Sequence, residues 1–223
     1  MQAEVRVLAE ELLERAASQR KKKEGAGPYM VGIAGVPGAG KSTFAKKLCD
    51  ELNQLSAESV ALVVPMDGFH YTKAQLRAME DPQEAFKRRG AAWTFDGEAL
   101  LRLLKKIKQE GEAKAPGWSH ETGDPLQDSI EITRSHSIVI VEGNYLLYAE
   151  APWDELAQEF DERWFIACDI ERAMGRVLRR HQQEMGLSEQ EAQYRIDTND
   201  RPNAKAIQEK LLAQLVDRNI SSN

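Results

Sequence analysis

A glycine-rich segment, Gly35-Val36-Pro37-Gly38-Ala39-Gly40-Lys41-Ser42, follows directly on the apolar run of residues 30–34. It fits the pattern GxxxxGK[ST], in which a strand ends in glycines so that backbone N–H groups surround a phosphate before a helix begins. Residues 41–55 then carry apolar side chains at helical spacing, which supplies the required context. The dipole of that helix favours the same negative charge. We therefore expect a nucleoside triphosphate to bind at this loop.

The side chains of the loop have separate expected roles. Lys41 reaches the β- and γ-phosphates, and the hydroxyl of Ser42 is placed on Mg²⁺. ATP and Mg²⁺ are therefore the predicted cofactors. The residues expected to contact ATP are Gly35, Val36, Pro37, Gly38, Ala39, Gly40, Lys41, Ser42 and Thr43.

Composition limits the kinds of protein that this chain can be. Its 223 residues suffice for one sizeable α/β core, so residues 1–223 are predicted to form a single domain. A formal charge of −6 argues against a nucleic-acid partner, because binding a phosphate backbone requires a broad basic surface. No apolar stretch approaches the ~20 residues that a membrane helix needs, so we expect no membrane span.

The N-terminal segment, residues 1–24, is interpreted as an amphipathic helix on the outside of the sheet, followed by a solvated basic connector. It contains four glutamates before residue 15, which a transit peptide would lack, and no continuous apolar core of a secretory signal. A cytoplasmic location is therefore expected by default. Cys49 and Cys168 have no metal-like spacing and are expected to be buried, reduced thiols.

Continuous Val/Ile-rich runs at residues 30–34, 60–64, 137–141 and 164–168 alternate with helical segments such as 96–109 and 170–185. This alternation predicts a doubly wound α/β fold of the P-loop NTPase class, with a parallel sheet covered on both faces. Ligands of such sheets bind outside the carboxyl ends of the strands. Asp67, Glu142 and Asp169, which follow three of the runs, are therefore predicted to share one rim with the P-loop.

Two of these carboxylates compete for two roles. Asp67 is favoured as the base that accepts a proton from an attacking hydroxyl, and Glu142 as the contact to Mg²⁺ or to a substrate hydroxyl. The reverse assignment stays open, because an Asp at the end of an apolar strand is also the usual Mg²⁺ ligand of such folds.

A cluster of arginines follows the last of the apolar runs. Arg172, Arg176, Arg179 and Arg180 are spaced i, i+4, i+7 and i+8 along one helix face. Arginine near a transferring phosphoryl group stabilises its charge, so Arg176 and Arg180 are predicted to be catalytic, with a solvated helix face as the alternative. The helix break at residues 185–188 and a capping sequence after it predict a helix–turn–helix lid over residues 170–203.

The acceptor is expected to meet a set of cations and aromatic rings near the Asp67 rim. Residues 115–120 are interpreted as a polar loop returning to the sheet edge, and Asp96 as the N-cap of the next helix. His136 and His181 have no predicted functional role, and no residue spacing indicates a zinc site. The predicted substrate-binding residues are Tyr71, Arg88, Arg89, Trp93, His120 and Glu142.

Five segments together resemble the phosphoribulokinase/uridine kinase family, from residue 29 to about residue 203. The resemblance implies ATP-dependent phosphorylation of a small molecule's hydroxyl, with Asp67 as base, Lys41 and Ser42 serving phosphate and Mg²⁺, and Arg176 and Arg180 as lid arginines. Tyr71 matches a tyrosine of the pantothenate kinases, although Thr72-Lys73 replace their Pro-Asn. The segments are Gly35–Ser42, Pro65-Met66-Asp67-Gly68-Phe69-His70, Arg88-Arg89-Gly90 with Trp93-Thr94-Phe95-Asp96, Val141-Glu142-Gly143-Asn144-Tyr145, and Thr198-Asn199-Asp200-Arg201-Pro202-Asn203.

These observations favour a kinase for a nucleoside, a sugar or a pantothenate-like acid. A regulatory GTPase is disfavoured because the chain has no NKxD motif for guanine. The alternative is an ATP-binding regulatory or assembly protein with weak or no transfer, which has no need of a base, a second carboxylate and lid arginines together. The sequence leaves open whether the protein is a monomer or a homodimer.

Overall fold

The computed structural model describes residues 2–22, 27–119 and 121–222, so His120, a predicted substrate contact, lies outside the described residues. The main sheet is parallel, with strand order β2-β5-β1-β6-β7. A separate antiparallel hairpin pairs β3 with β4. The strands are β1 (Tyr29–Gly35), β2 (Ala61–Pro65), β3 (Ala113–Ser119), β4 (Asp124–Ile132), β5 (Ile138–Gly143), β6 (Glu162–Ala167) and β7 (Arg218–Ser221).

Helices surround this sheet, and five of the described helices begin at a residue whose side chain accepts a hydrogen bond from a backbone N–H. The α-helices are α1 (Gln2–Lys22), α2 (Lys41–Ser56), α3 (Lys73–Arg77), α4 (Pro82–Lys87), α5 (Gly97–Glu110), α6 (Trp153–Leu156), α7 (Ile170–Met185), α8 (Glu189–Arg195) and α9 (Arg201–Glu209). A π-helical turn, Ile196–Asp200, joins α8 to α9, and a short 3-10 helix, Met66–Phe69, follows β2.

The sheet is covered on both faces. Successive side chains of a strand point to opposite faces. All four residues Ile138–Val141 of the interior strand β5 are nevertheless 0% exposed. The predicted doubly wound α/β fold is therefore confirmed, and its continuous apolar runs are explained by burial on both faces.

The register of the parallel strands brings the carboxyl ends together. Pro65 of β2 lies beside Glu142 of β5, and Gly35 of β1 lies beside Ile166 of β6. The P-loop, the segment after β2 and the end of β5 therefore lie at one edge of the sheet, as the sequence predicts.

The caps predicted for the helices are also confirmed. The Asp96 carboxylate accepts a hydrogen bond of 2.8 Å from the Ala99 N–H at the start of α5. Ser188 and Glu191 form a reciprocal capping box at the start of α8. Gly186 ends α7 with a left-handed φ of 65°, so the predicted helix–turn–helix of residues 170–203 is present.

Helix α1 packs on the outside of the core, as expected. Its buried face contains Val5, Leu8, Ala9, Leu12 and Ala16. A polar contact adds to this packing: Arg15 donates to the buried Glu162 carboxylate of β6, which also accepts from the Tyr29 hydroxyl at 2.9 Å and from the Trp164 indole at 2.8 Å. These bonds compensate the burial of a charged group and hold α1 beside β1 and β6.

Three details of the sequence interpretation need correction. The segment expected to be a polar loop at residues 115–120 belongs largely to the β3–β4 hairpin, which a register irregularity between Ala115 and Gly117 makes hard to recognise. The edge strand β7 has only four residues and no apolar run. Cys49 and Cys168 are free thiols but half-buried rather than buried.

Among the described residues, no helix is long and apolar enough to cross a membrane.

Candidate active site

The backbone of the P-loop has the conformation that its glycines allow. Gly38 and Gly40 have φ values of 80° and 95°, which other residues rarely adopt. A Cβ at Gly38 would lie 2.3 Å from the Ala173 carbonyl oxygen, so glycine also permits α7 to approach the loop closely. A Cβ at Gly40 would meet no protein atom within 4 Å. The loop is therefore a backbone-lined cradle open at Gly40, as a phosphate site requires.

Lys41 begins α2 and is enclosed by the loop. Its side chain is 8% exposed, and its Nζ donates a hydrogen bond of 3.0 Å to the Val36 carbonyl oxygen. Burial lowers the pKa of Lys41 to about 8, while the charges of Glu142 and Asp67 act in the opposite direction. An ammonium group with so little solvation gains strongly from an anionic ligand.

Ser42 and Glu142 form the next pair. The Ser42 hydroxyl donates a hydrogen bond of 3.0 Å to Glu142 Oε1, across from α2 to the end of β5. Glu142 is 6% exposed. Burial, and then the charge of Asp67, raise the pKa of Glu142 to about 7, whereas Lys41 and the Ser42 hydrogen bond lower it. This carboxylate therefore becomes an anion most readily when a further cation is present.

Asp67 lies in a different environment. It follows β2 in the 3-10 helix Met66–Phe69, and its side chain is 53% exposed. Its Oδ1 is 3.9 Å from Nδ1 of His70, which also contacts the Asp67 carbonyl oxygen at 2.9 Å. Its charge acts on both Lys41 and Glu142. One rim thus carries a buried carboxylate bonded to Ser42 and an exposed carboxylate open to a ligand.

This donor set fits Mg²⁺ held partly by a nucleotide. The described residues contain no group of three or more His, Cys, Asp or Glu side chains that could hold a metal ion. Mg²⁺ commonly uses one or two carboxylates together with substrate phosphates and water, rather than an all-protein cage. The Ser42 hydroxyl and Glu142 carboxylate, 3.0 Å apart, are suited to that arrangement.

The arginines of α7 divide into two kinds. Arg176 is half-buried, and its Nη1 donates to the Gly38 carbonyl oxygen at 3.3 Å and to the Ser222 hydroxyl at 2.7 Å. Arg180, one turn later, is exposed, and its charge lowers the pKa of Lys41. Arg172 and Arg179 are exposed, in agreement with the solvated-face alternative for those two positions. Arg176 thus contacts the P-loop directly, and Arg180 lies near enough for its charge to act on Lys41.

The guanidinium groups of the acceptor side are bound to protein atoms. Arg89 donates to the Gly123 carbonyl oxygen at 2.7 Å, the Tyr71 carbonyl oxygen at 3.1 Å and Asp124 Oδ1 at 2.7 Å. Arg88 donates to side-chain oxygens of Asn199 at 3.3 Å and Asn203 at 2.9 Å. These arginines cross-link chain segments that are distant in sequence. Their predicted direct contact with the acceptor stays a prediction.

Aromatic rings line the same side, and one of them was not predicted. His70 lies against Phe95, with ring centroids 3.9 Å apart, and against Trp118 at 4.8 Å. Burial lowers the pKa of His70, although the Asp67 charge acts in the opposite direction. Of the predicted aromatic residues, Trp93 is 50% exposed and Tyr71 is half-buried. His70 directly follows Asp67-Gly68-Phe69, so its place in that motif was the available signal.

The chain that carries this rim and P-loop matches a known protein family. The sequence profile of the phosphoribulokinase/uridine kinase family matches residues 30–210. The chain belongs to this family. It is an ATP-dependent P-loop kinase, in agreement with the resemblance found in its motifs.

Individual relatives of the kinase support the same assignment. A candidate uridine kinase of Schizosaccharomyces pombe is 35% identical over 207 residues, which cover 91% of this chain and 86% of the relative. A candidate fructose transport system kinase from Silicibacter sp. TM1040 has 28% identity and a TM-score of 0.82, covering 97% of this chain and 98% of that one. YFH7 from Saccharomyces cerevisiae, with 22% identity and a TM-score of 0.86 over 98% of this chain and 99% of that one, shares the fold.

Proposed function

We propose that this kinase transfers the γ-phosphoryl group of ATP to a hydroxyl of a small molecule, with residues 1–223 acting as one domain and residues 170–203 as its lid. The observation that carries the proposal is the pair of unlike carboxylates at one rim. Glu142 is 6% exposed and bonded to Ser42, whereas Asp67 is 53% exposed beside them. A protein that only binds ATP has no need of the second, open carboxylate.

The nucleotide side supplies charge and orientation. The P-loop N–H groups and Lys41 bind the phosphates, and Arg176 and Arg180 stabilise negative charge that spreads over the transferred group. Ser42 and Glu142 would hold Mg²⁺, which when bound would neutralise phosphate charge and help to orient the phosphates. Burial displaces the pKa of Lys41 to about 8 and that of Glu142 to about 7. The phosphates would supply the negative charge that stabilises the Lys41 ammonium, and Mg²⁺ the positive charge that stabilises the Glu142 carboxylate.

A cavity of about 770 Å³ next to the P-loop is assigned to the base and ribose of the nucleotide. Ligand sites typically enclose about 300–1,000 Å³ and have mainly apolar walls. The walls here come mainly from α1, α2 and β7, with a contribution from α7, so the proposal gives the N-terminal helix a part in nucleotide binding. They include Val7, Leu8, Thr43, Phe44, Arg176 and Ile220.

The acceptor side orients the attacking hydroxyl. Asp67 accepts the hydroxyl proton as the bond from the acceptor oxygen to the γ-phosphorus forms and the bond from that phosphorus to the β,γ-bridging oxygen breaks, so that ADP leaves. His70, Trp118 and Phe95 provide flat faces beside it, and Tyr71 and Trp93 lie on the neighbouring segments. The relatives are named for uridine and fructose, which are both rich in hydroxyl groups. A nucleoside, a sugar or a pantothenate-like acid is therefore the proposed acceptor, with Arg88 and Arg89 shaping its site.

The test is a coupled ADP-release screen with Mg·ATP and members of these three acceptor classes. At least one class is expected to raise ADP release above the rate with water alone, and mass spectrometry should detect the phosphorylated acceptor. Lys41→Ala serves as the blank. Tight ATP binding with no stimulation by any small molecule would support the regulatory or assembly alternative instead.

A further inference from the structure

The turn between α8 and α9 has buried polar residues that the proposed mechanism does not use. It is the π-helical segment Ile196–Asp200. Such insertions are rare and occur frequently at functional sites. Asn199 and Asp200 are only 1% and 8% exposed. Buried polar groups require partners, so their contacts show which parts of the molecule this turn joins.

Asp200 binds the lid helix. Its Oδ2 lies 2.9 Å from Nε2 of His181, which is 4% exposed on the inner face of α7. His181 directly follows Arg180, whose charge acts on the buried ammonium of Lys41. Asp200 therefore holds α7 at the residue next to a lid arginine.

Asn199 binds the acceptor side. Its Oδ1 accepts from Arg88 Nε at 3.3 Å and from Asn203 Nδ2 at 3.1 Å, and its Nδ2 donates to the Arg89 carbonyl oxygen at 2.9 Å. Asn203 Oδ1 accepts a second bond of 2.9 Å from Arg88. Asn199 and Asn203 together thus hold both the side chain of Arg88 and the backbone that follows it.

The segment of residues 88–90 is in turn connected to the reacting groups. Tyr145 lies three residues after Glu142 in the chain, and its hydroxyl donates to the Gly90 carbonyl oxygen at 2.8 Å. Arg89 binds the Tyr71 carbonyl oxygen, four residues after Asp67. A displacement of residues 88–90 would therefore reach the surroundings of both carboxylates.

We propose that Asn199 and Asp200 are positioning residues that couple the lid helix α7 to the acceptor side. Asn199 and Asp200 are adjacent residues of one hydrogen-bonded turn. A shift of α7 that displaces Asp200 therefore also displaces Asn199, which is bonded to residues 88 and 89. When a nucleotide orders α7, this turn also orders residues 88–90. The kinetic consequence rests on the proposed function, whereas the structural coupling requires only nucleotide binding.

The first experiment measures hydrogen–deuterium exchange of the full chain with and without Mg·AMP-PNP. In the wild type, the nucleotide is expected to slow exchange both at residues 36–44 and at residues 86–95. In Asn199→Ala and in Asp200→Ala, slowing at residues 36–44 should persist while most of it at residues 86–95 is lost. Asp200→Asn should retain part of the effect, because its amide oxygen still accepts a hydrogen bond from His181.

The matched control is Asn53→Ala. Asn53 also makes two backbone bonds, donating to the Ala61 carbonyl oxygen at 3.0 Å and accepting from the Ala61 N–H at 2.8 Å, but it joins α2 to β2. This variant should keep both regions of protection. The proposal is overturned if nucleotide leaves residues 86–95 of the wild type unaffected, if both lid-turn variants retain full protection there, or if Asn53→Ala loses it equally.

Steady-state kinetics with the best acceptor from the screen form the second experiment. Asp200→Ala is expected to lower kcat about tenfold or more, with the KM for ATP changed less than about threefold, because misplacement acts on the transition state. Combined with Arg180→Ala, its effect should be much smaller than the product of the single effects. Multiplicative effects would overturn the coupling. If the screen identifies no acceptor, the proposed function is refuted, and the exchange experiment still decides whether the coupling exists.

Discussion

The nucleotide side and the acceptor side of this kinase are built in different ways. The phosphate-binding loop of the first is one contiguous segment, in which Lys41 binds the Val36 carbonyl oxygen five residues earlier. The second is assembled from segments near residues 70, 90, 120 and 200, joined by Arg88 and Arg89. A motif can therefore identify the reaction, because its chemistry is local. The acceptor depends on cross-links between distant segments, which no single motif contains.

The largest effect is expected from a substitution of Lys41 on the nucleotide side. Lys41→Ala is expected to lower phosphoryl transfer by about 10²- to 10³-fold, because it removes a buried cation from the phosphates. The thermal midpoint should fall little, since the variant also removes the desolvation that lowers the pKa of Lys41 to about 8. Single-turnover ADP release and a melting curve check this. Lys46→Ala, at an exposed lysine paired with Asp50, is the control, and near-normal turnover in Lys41→Ala would contradict the assignment.

Asp67 tests which carboxylate serves as the base. Asp67→Asn keeps the size of the side chain but removes the basic group, so kcat should fall about 10²-fold with nucleotide affinity little changed. The measurement is nucleotide titration beside turnover, with Asp50→Asn at an exposed site as the control. A loss of affinity that added Mg²⁺ repairs would instead exchange the roles of Asp67 and Glu142.

Arg89 tests whether the acceptor side is held together as the structure indicates. Its side chain is 12% exposed and pairs with Asp124 at 2.7 Å. Arg89→Ala is expected to lower the free energy of unfolding by about 2–4 kcal/mol, because it leaves partly buried acceptors without a donor. Urea denaturation measures this, and Arg163→Ala, which breaks the more exposed 2.9 Å pair with Asp217, should cost less. A stable variant with a raised acceptor KM would make Arg89 a direct substrate contact.

The smallest expected effect is a pH dependence of stability centred on Glu142. Burial and the charge of Asp67 raise its pKa from 4.5 to about 7. Between pH 4.5 and about pH 7 the native state retains a proton on Glu142 that the unfolded chain has released, so the free energy of unfolding falls as the pH rises. Glu142→Gln should abolish this pH dependence of the free energy of unfolding, which is on the order of 3 kcal/mol, as measured by urea denaturation at several pH values. Equal slopes for both proteins would show that Glu142 stays ionised throughout.

How far the sequence predicts each part depends on how local its contacts are. The capping box of Ser188 and Glu191 and the Asp96 cap span three residues each, and both were predicted and are present. The β3–β4 hairpin was not predicted, because Pro116 and Gly117 interrupt its pattern beside a register shift. Arg88 and Arg89 were identified as important cations, but their partners lie up to 115 positions away in the chain.

The sequence by itself determined the P-loop, the alternation of strands and helices, and the edge at which Asp67 and Glu142 meet. Each follows from short-range periodicity or from the rule that parallel strands present their carboxyl ends together. Only the tertiary structure decided that Glu142 is buried on Ser42 while Asp67 is exposed, and that Asn199 and Asp200 connect α7 to the acceptor side. Burial and hydrogen-bond partners are properties of the packed chain, and residue type and spacing leave them undetermined.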